Sequence, residues 1–272
     1  MSQDLKTSAA FANSWNHLPE GSVYTFNQFE DWFYPIKKKD ISGKNILELG
    51  CGNGSLLFHM INWEPSCLEG IDLGDSVNSA RKNMSLSKFK NWKITQADLN
   101  SFTSNGFDFV YCIGVLHHLK DPEKGFKAVV KATKPGGRFH CWVYGYEGNF
   151  IIRTFIDPLR KIVSRLPWLV IQWLIALPLA ILFFLISQLT TFSERNLFKK
   201  KFPLYPYLKW ISGYSFHFHH HVVCDQLVSP QTIYIKKQTI EKWMDEENLE
   251  DTYLIQRNGN SWKFGGVNKG HL

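Results

Sequence analysis

Cysteine is scarce and scattered: five residues, at positions 51, 67, 112, 141 and 224, in a chain of 272. That pattern speaks against a disulfide or zinc framework, and the cysteines read as small core residues in a reducing compartment. The N-terminus, Met1-Ser-Gln-Asp-Leu-Lys6, lacks the basic-then-apolar layout of a signal peptide. No internal repeat is visible. Acidic residues are outnumbered, leaving a formal net charge of +7 and a pI of about 9.0, which permits nucleic acid or an anionic membrane surface as a partner. With 44% apolar residues the chain can bury one full core, with or without an insertion.

A further absence sits in the most informative segment, Asn45-Ile-Leu-Glu-Leu-Gly-Cys-Gly-Asn-Gly54. Ile46–Leu49 reads as a short buried strand running into a glycine loop. The dinucleotide fingerprint G-x-G-x-x-G is missing its last glycine; the spacing here is G-x-G-x-G, with Ser55 in that place. Glu48 at the strand end would repel a phosphate but would suit a cation. S-adenosylmethionine (SAM) carries an ammonium and a sulfonium and no phosphate, so the loop points to a methyl donor rather than to a dinucleotide.

Further strands follow in order. Cys67–Asp72 and Lys93–Asp98 each end in an acid, the first suited to two ribose hydroxyls and the second to an adenine amino group. Phe107–Gly114 is a fourth apolar strand leading into Val115-Leu-His117-His118-Leu119. Asp121-Pro122 then begins a helix, with Asp as its cap and Pro at its first position. A fifth strand spans Arg138–Tyr144. Alternation of this kind requires a parallel sheet with helices on both faces, and ligands bind at the carboxyl ends of its strands.

The ordered set ILELGCGNG (46–54), GID (70–72), QADL (96–99), FDFVYCIGVLHHLKDP (107–122) and KPGGRF (134–139) resembles the class I SAM-dependent methyltransferases, within them the methyltransferase type 11 group. The resemblance implies an α/β fold: a Rossmann-like seven-stranded sheet, closed by an antiparallel pair near the C-terminus, with a helical insertion after the fifth strand. It also implies S-adenosyl-L-methionine as cofactor. Gly50, Gly52 and their neighbours Cys51, Asn53 and Gly54 would pack on its methionine part, with Glu48 beside them. Asp72 would hold the ribose, Leu73 would touch adenine, Asp98 and Leu99 would flank the adenine amino group, and Ile113 would lie where the fourth strand meets the cofactor. His118, and less directly His117, would sit beside the methyl group as candidate bases.

Four segments follow from this reading. Residues 1–40 form an aromatic-rich helical cap, with Phe26–Phe33 at helical spacing. Residues 41–146 are the cofactor-binding core, residues 147–229 a hydrophobic helical insertion, and residues 230–272 a helix (Lys237–Asn248) with two closing strands around Asn258-Gly-Asn260. Leu166–Ser193 contains no charged residue, which is enough apolar length for a membrane helix. A single crossing would divide the sheet between two sides of the bilayer, and Pro178 is expected to split the run into two halves too short to cross. Basic residues flank it: Arg153, Arg160, Lys161 and Arg165 before, then Arg195, Lys199, Lys200, Lys201 and Lys209 after. A helical hairpin lying on an anionic membrane and a cap or homodimer interface are the two readings. His217-Phe-His-His-His221 reads as a solvated or substrate-facing loop, not as a metal site.

The expected activity is transfer of the sulfonium methyl to an oxygen or carbon of a small or lipophilic metabolite, by a cytoplasmic enzyme with peripheral membrane contact and no nucleic-acid partner. The alternatives are a nucleic-acid or protein methyltransferase, or a non-catalytic membrane-associated protein that keeps the fold. Against the first, the segment after the fourth strand reads Ile-Gly-Val-Leu-His, where base methyltransferases of this fold carry an Asn/Asp-Pro-Pro-aromatic motif.

Overall fold

A computed structural model describes residues 3–16, 22–192 and 204–270. Its centre is a seven-stranded sheet in the order β3-β2-β1-β4-β5-β7-β6. The strands are β1 (Asn45–Leu49), β2 (Cys67–Asp72), β3 (Trp92–Gln96), β4 (Phe107–Ile113), β5 (Thr133–Tyr144), β6 (Leu249–Arg257) and β7 (Ser261–Asn268). β1 to β5 pair in parallel, while β7 runs antiparallel between β5 and β6. The β1 residues Ile46–Leu49 are buried, which is why that strand reads as a continuous apolar run broken only by Glu48. The β6–β7 turn places Asn258 (φ 51°) and Gly259 (φ 72°) in the left-handed region that their composition favours.

Helices cover both faces. Those before the insertion are α1 (Gln3–Trp15), α2 (Phe26–Phe33), α3 (Ser55–Met60), α4 (Ser76–Ser85) and α5 (Pro122–Ala132). Thr25 opens α2 with a capping box: its hydroxyl accepts from Gln28 N, and the Gln28 side chain accepts from Thr25 N at 2.7 Å. Asp121 caps α5 by accepting from Lys124 N at 3.0 Å, with Pro122 in the first turn. On one face, Phe126, Val129 and Val130 of α5 pack with Ile240, Trp243 and Met244 of a C-terminal helix, Lys237–Glu246. On the other, Phe29, Trp32 and Phe33 of α2 pack with α3 and α4. Each large side chain buried there contributes about 1.5–3 kcal/mol.

The insertion supplies α6 (Asp157–Val163), α7 (Leu177–Phe192), α8 (Tyr205–Ile211) and α9 (Phe216–Val228); the C-terminal helix is α10. Two expectations need correction here. Pro178 does not split the apolar run. A π-helical stretch, Val170–Ala176, feeds directly into α7, where Pro178 is the second residue, so Val170–Thr191 forms one helix of 22 residues. Proline lacks an N–H and crowds the carbonyl four residues back; the shifted ladder of the π turn absorbs both defects. Among the described residues this is the one helix long and apolar enough to cross a membrane. The sheet still forbids a single crossing, because β5 before it and β7 after it are neighbours. The histidine run is likewise not a loop. It forms the first half of α9, and His219, His220 and His221 are buried. Alternating with aromatic side chains, they pack against α7 and α1: Ser187 Oγ lies 3.0 Å from His219 Nε2, and the His221 ring meets Trp15 edge-on.

Arg160, expected among the exposed basic residues, is also buried. It donates to the Gln226 carbonyl (2.6 Å), the Gln226 side chain (2.7 Å), Asp157 (3.2 Å) and the Tyr234 hydroxyl (3.2 Å), tying α6 to α9. Arg195, Lys199, Lys200 and Lys201 lie outside the described residues.

Candidate functional site

The carboxyl ends of β1, β2 and β4 open on one chamber of about 700 Å³. Small-molecule sites span roughly 300–1,000 Å³, so this one has room for a cofactor and a second reacting group. Glu48, Gly50, Cys51, Gly52, Asn53, Asp72, Leu73, Asp98, Leu99, Ile113 and His118 all line it. Gly54 and His117 do not. Gly54 is the left-handed residue that starts α3 (φ 77°), and His117 is buried behind His118, with Tyr144 N donating to its Nδ1 at 3.4 Å.

The glycine loop has a steric reason for its composition. Gly50 has φ 83°, and a Cβ there would lie 2.4 Å from the Val115 side chain. Gly52 has φ 51°, and a Cβ there would face the Trp15 ring at 3.8 Å. Asp72 holds the loop from β2: its carboxylate accepts from Gly52 N (2.9 Å), Gly74 N (2.8 Å) and Ser76 Oγ (3.3 Å). Asp98 accepts from Asn100 N at 2.8 Å and so caps a single 3₁₀ turn.

Burial controls the ionisation of this site. It pushes the Glu48 carboxyl up to about 8, opposed by the hydrogen bond from the Tyr111 hydroxyl (3.0 Å) and assisted by the charge of Asp72. Burial also raises Asp72, opposed by its backbone donors. His118 is lowered to about 4, mainly by burial. Its Nδ1 lies 3.0 Å from the Gln231 carbonyl, an acceptor only, so that nitrogen carries the proton and Nε2 the lone pair. The Cys51 thiol is raised by burial and is not a nucleophile.

The chamber's other walls were marked in the sequence only as segments, a cap over residues 1–40 and a solvated or substrate-facing histidine stretch, and not residue by residue. α1 contributes Phe11 and Trp15, the segment before α2 contributes Tyr24, and α7 contributes Leu179, Leu182 and Phe183. α9 contributes Phe218, His221 and Asp225. The i, i+4 spacing of His221 and Asp225 in an apolar, aromatic helix is the one sequence signal that could have marked the last two. Among the described residues the acids on the wall are Asp4, Glu48, Asp72, Asp98 and Asp225, and the single guanidinium is Arg257, whose Nε donates to Asp31 at 2.9 Å. The chamber therefore favours cations and disfavours phosphate and other anions.

Residues 40–151 match the family model described as a methyltransferase domain. The tRNA U34 carboxymethyltransferase of Campylobacter curvus is 32% identical over 102 residues, covering 36% of this chain and 34% of that protein. The enzyme of the same name from Helicobacter acinonychis is 35% identical over 111 residues, covering 39% and 42%. The chain thus matches less than half the length of these curated relatives. A solved structure, magnesium protoporphyrin IX methyltransferase from Synechocystis with bound SAH, superposes with a TM-score of 0.56 over 97% of both chains at 13% identity, a likeness of fold. The relatives' names overturn the expectation of a small or lipophilic metabolite as substrate and of no nucleic-acid partner, since both are named for a tRNA. That expectation rested on the missing Pro-Pro motif, which marks only some nucleic-acid enzymes. The matched domain marks residues 40–151 as a methyltransferase domain, and the strand order and shared fold are those of the class I SAM-dependent methyltransferases.

Proposed function

We propose that this chain is a SAM-dependent methyltransferase acting on RNA, with tRNA as the substrate class. The observation that carries the reading is the single chamber in which the glycine loop and the strand-end acids face the walls of the insertion. The names of the tRNA-modifying relatives and the net charge of +7 support nucleic acid. Residues 41–146 with 230–272 form the transfer core, while 1–40 and 147–229 wall the chamber and shape the acceptor side.

The chain's own residues fit the cofactor. Gly50, Cys51, Gly52, Asn53 and Gly54 form a loop that leaves room for the methionine part, and Glu48 beneath it suits a cation. Beyond its three donors Asp72 keeps about one acceptor site for a ribose hydroxyl. Leu73, Asp98, Leu99 and Ile113 frame the adenine. SAM, when bound, supplies an electrophilic methyl group. His118 stays neutral at physiological pH and offers Nε2 as a hydrogen-bond acceptor to position the attacking group; His117 supports it from behind. The relatives are named for carboxymethyl transfer, whereas a wall rich in acids favours a donor without an added carboxylate. Methyl-tritiated SAM incubated with unfractionated tRNA tests the reading, with mass spectrometry of the digested nucleosides identifying the group transferred. No label in RNA, with SAM bound, would remove RNA as the substrate.

A second observation favours peripheral membrane attachment of a cytoplasmic enzyme. Leu169, Trp173, Leu174, Leu185 and Leu189 of the insertion are exposed, Leu174 by 72%, and Lys161, Arg165 and Lys209 are exposed in the segments that flank them in sequence. A contiguous apolar face rimmed by basic residues binds anionic bilayers by burial plus attraction. Liposome flotation should show binding that rises with anionic lipid and is lost in Leu174→Ser/Leu185→Ser. Concentration-dependent self-association without flotation would assign the face to a second copy instead.

A further inference from the structure

The insertion places a polar pair among aromatic rings on the chamber wall, beyond the Trp15 ring that faces Gly52. Asp225 and His221 are one turn apart on α9; His221 Nε2 lies 3.5 Å from Asp225 Oδ2, too far for a good hydrogen bond. Among the described residues His221 Nε2 and Asp225 Oδ1 have no hydrogen-bond partner. The His221 side chain is 5% exposed, whereas Asp225 keeps 22% of its side chain open, in a position that lines the chamber. Such an under-satisfied buried pair is costly unless an arriving group completes it.

The surroundings limit what that group can be. The His221 ring lies 5.8 Å from Trp15, 6.3 Å from Tyr24 and 6.3 Å from Phe218, so flat apolar faces border the pair. The acidic wall rejects phosphate, so an RNA backbone must remain outside. A base taken out of its stack is neutral and planar, and its edge carries an N–H donor beside an acceptor.

We propose that Asp225 and His221 form a reading site for an extruded nucleobase, with Asp225 accepting the base's N–H and Trp15, Tyr24 and Phe218 supplying the stacking faces. Both residues belong to the insertion, so base recognition lies outside the segment that matches the family model. The inference rests on the RNA reading above and deepens it. It also gives the insertion a task that the core cannot perform, since the core's acids are committed to the loop and to the cofactor.

The test uses the full chain saturated with SAH and two probes, uridine and N3-methyluridine, which differ in the N–H that Asp225 would accept. Uridine should bind at least about tenfold more tightly than its N3-methyl form by isothermal titration, the value of one hydrogen bond to a charged group. Asp225→Asn and His221→Gln should abolish that discrimination while SAH affinity and melting temperature stay near wild type. Equal binding of the two probes, no binding of either, or discrimination retained in both variants would overturn the proposal. Tritium transfer to tRNA is read separately. Asp225-dependent uridine binding without tRNA labelling would sink the RNA reading and keep the site; tRNA labelling by Asp225→Asn at the wild-type kcat/KM would sink the site and keep the reading.

Discussion

Glu48 should release a proton when SAM binds. Its carboxyl is pushed up to about 8 by burial, so the neutral form dominates below that pH, in keeping with the Tyr111 hydroxyl as its only hydrogen-bond donor among the described residues. A fixed cation set against Glu48 favours the carboxylate, and the proton must leave. Deprotonation then costs about 2.7 kcal/mol at pH 6, about 1.4 at pH 7 and about 0.4 at pH 8. If the bound-state value falls below 6, SAM affinity should rise about fiftyfold from pH 6 to pH 8. Above pH 8 the rise should stop, because the amine of the ligand titrates near ~8. Isothermal titration in phosphate and in Tris at pH 7 should give enthalpies that differ by nearly one buffer ionisation. Glu48→Gln should remove both the pH slope and the buffer difference, with its largest loss of affinity at pH 8. Affinity that is flat from pH 6 to pH 8, with identical enthalpies in the two buffers, would refute the coupling and remove Glu48 from the cation site.

Two further outcomes are expected. Asp72→Ala should weaken SAM binding by about 1–3 kcal/mol, since it removes both the ribose acceptor and the anchor of Gly52 and Gly74; titration of SAM and SAH checks this, and an unchanged affinity would show that the ribose is held elsewhere. His140, buried between the Tyr253 hydroxyl and the Trp32 carbonyl, is lowered to about 4 by burial. Its folded value lies below the unfolded ~6.5, so its contribution is whole above pH 6.5 and is lost as pH falls toward 4. Between pH 8 and pH 5 it removes about 2 kcal/mol of stability. His140→Gln should lose that much less than wild type over the same range in urea unfolding, a comparison that cancels the buried carboxylates, whose raised values act in the opposite sense. Parallel losses in the two proteins would contradict it.

The parts of this protein that were legible in its sequence are those set by local rules. Strand ends, glycine turns and helix caps depend on a few neighbouring residues, so Gly50, Asp72, Asp98 and Asp121 could be placed before any contact was known. Phe26–Phe33 was found as a helix with its observed bounds, because its apolar spacing and its burial agree. The parallel sheet with helices on both faces followed from the same logic, whereas the strand order came from the structure.

The insertion did not obey local rules. Pro178 predicts a break, yet a π turn carried the helix through it. Four histidines predict a polar loop, yet Ser215 caps a helix there by accepting from Phe218 N, and His219, His220 and His221 are buried while His217 stays exposed. Both outcomes depend on partners distant in sequence that supply compensating bonds and surfaces. The sequence by itself determined the glycine-loop half of the chamber, because a tight loop and an acid at a strand end are set by neighbouring residues. Only the tertiary structure decided the remaining wall, because Trp15, Tyr24, His221 and Asp225 come together only when the N-terminal cap and the insertion close over the same sheet edge.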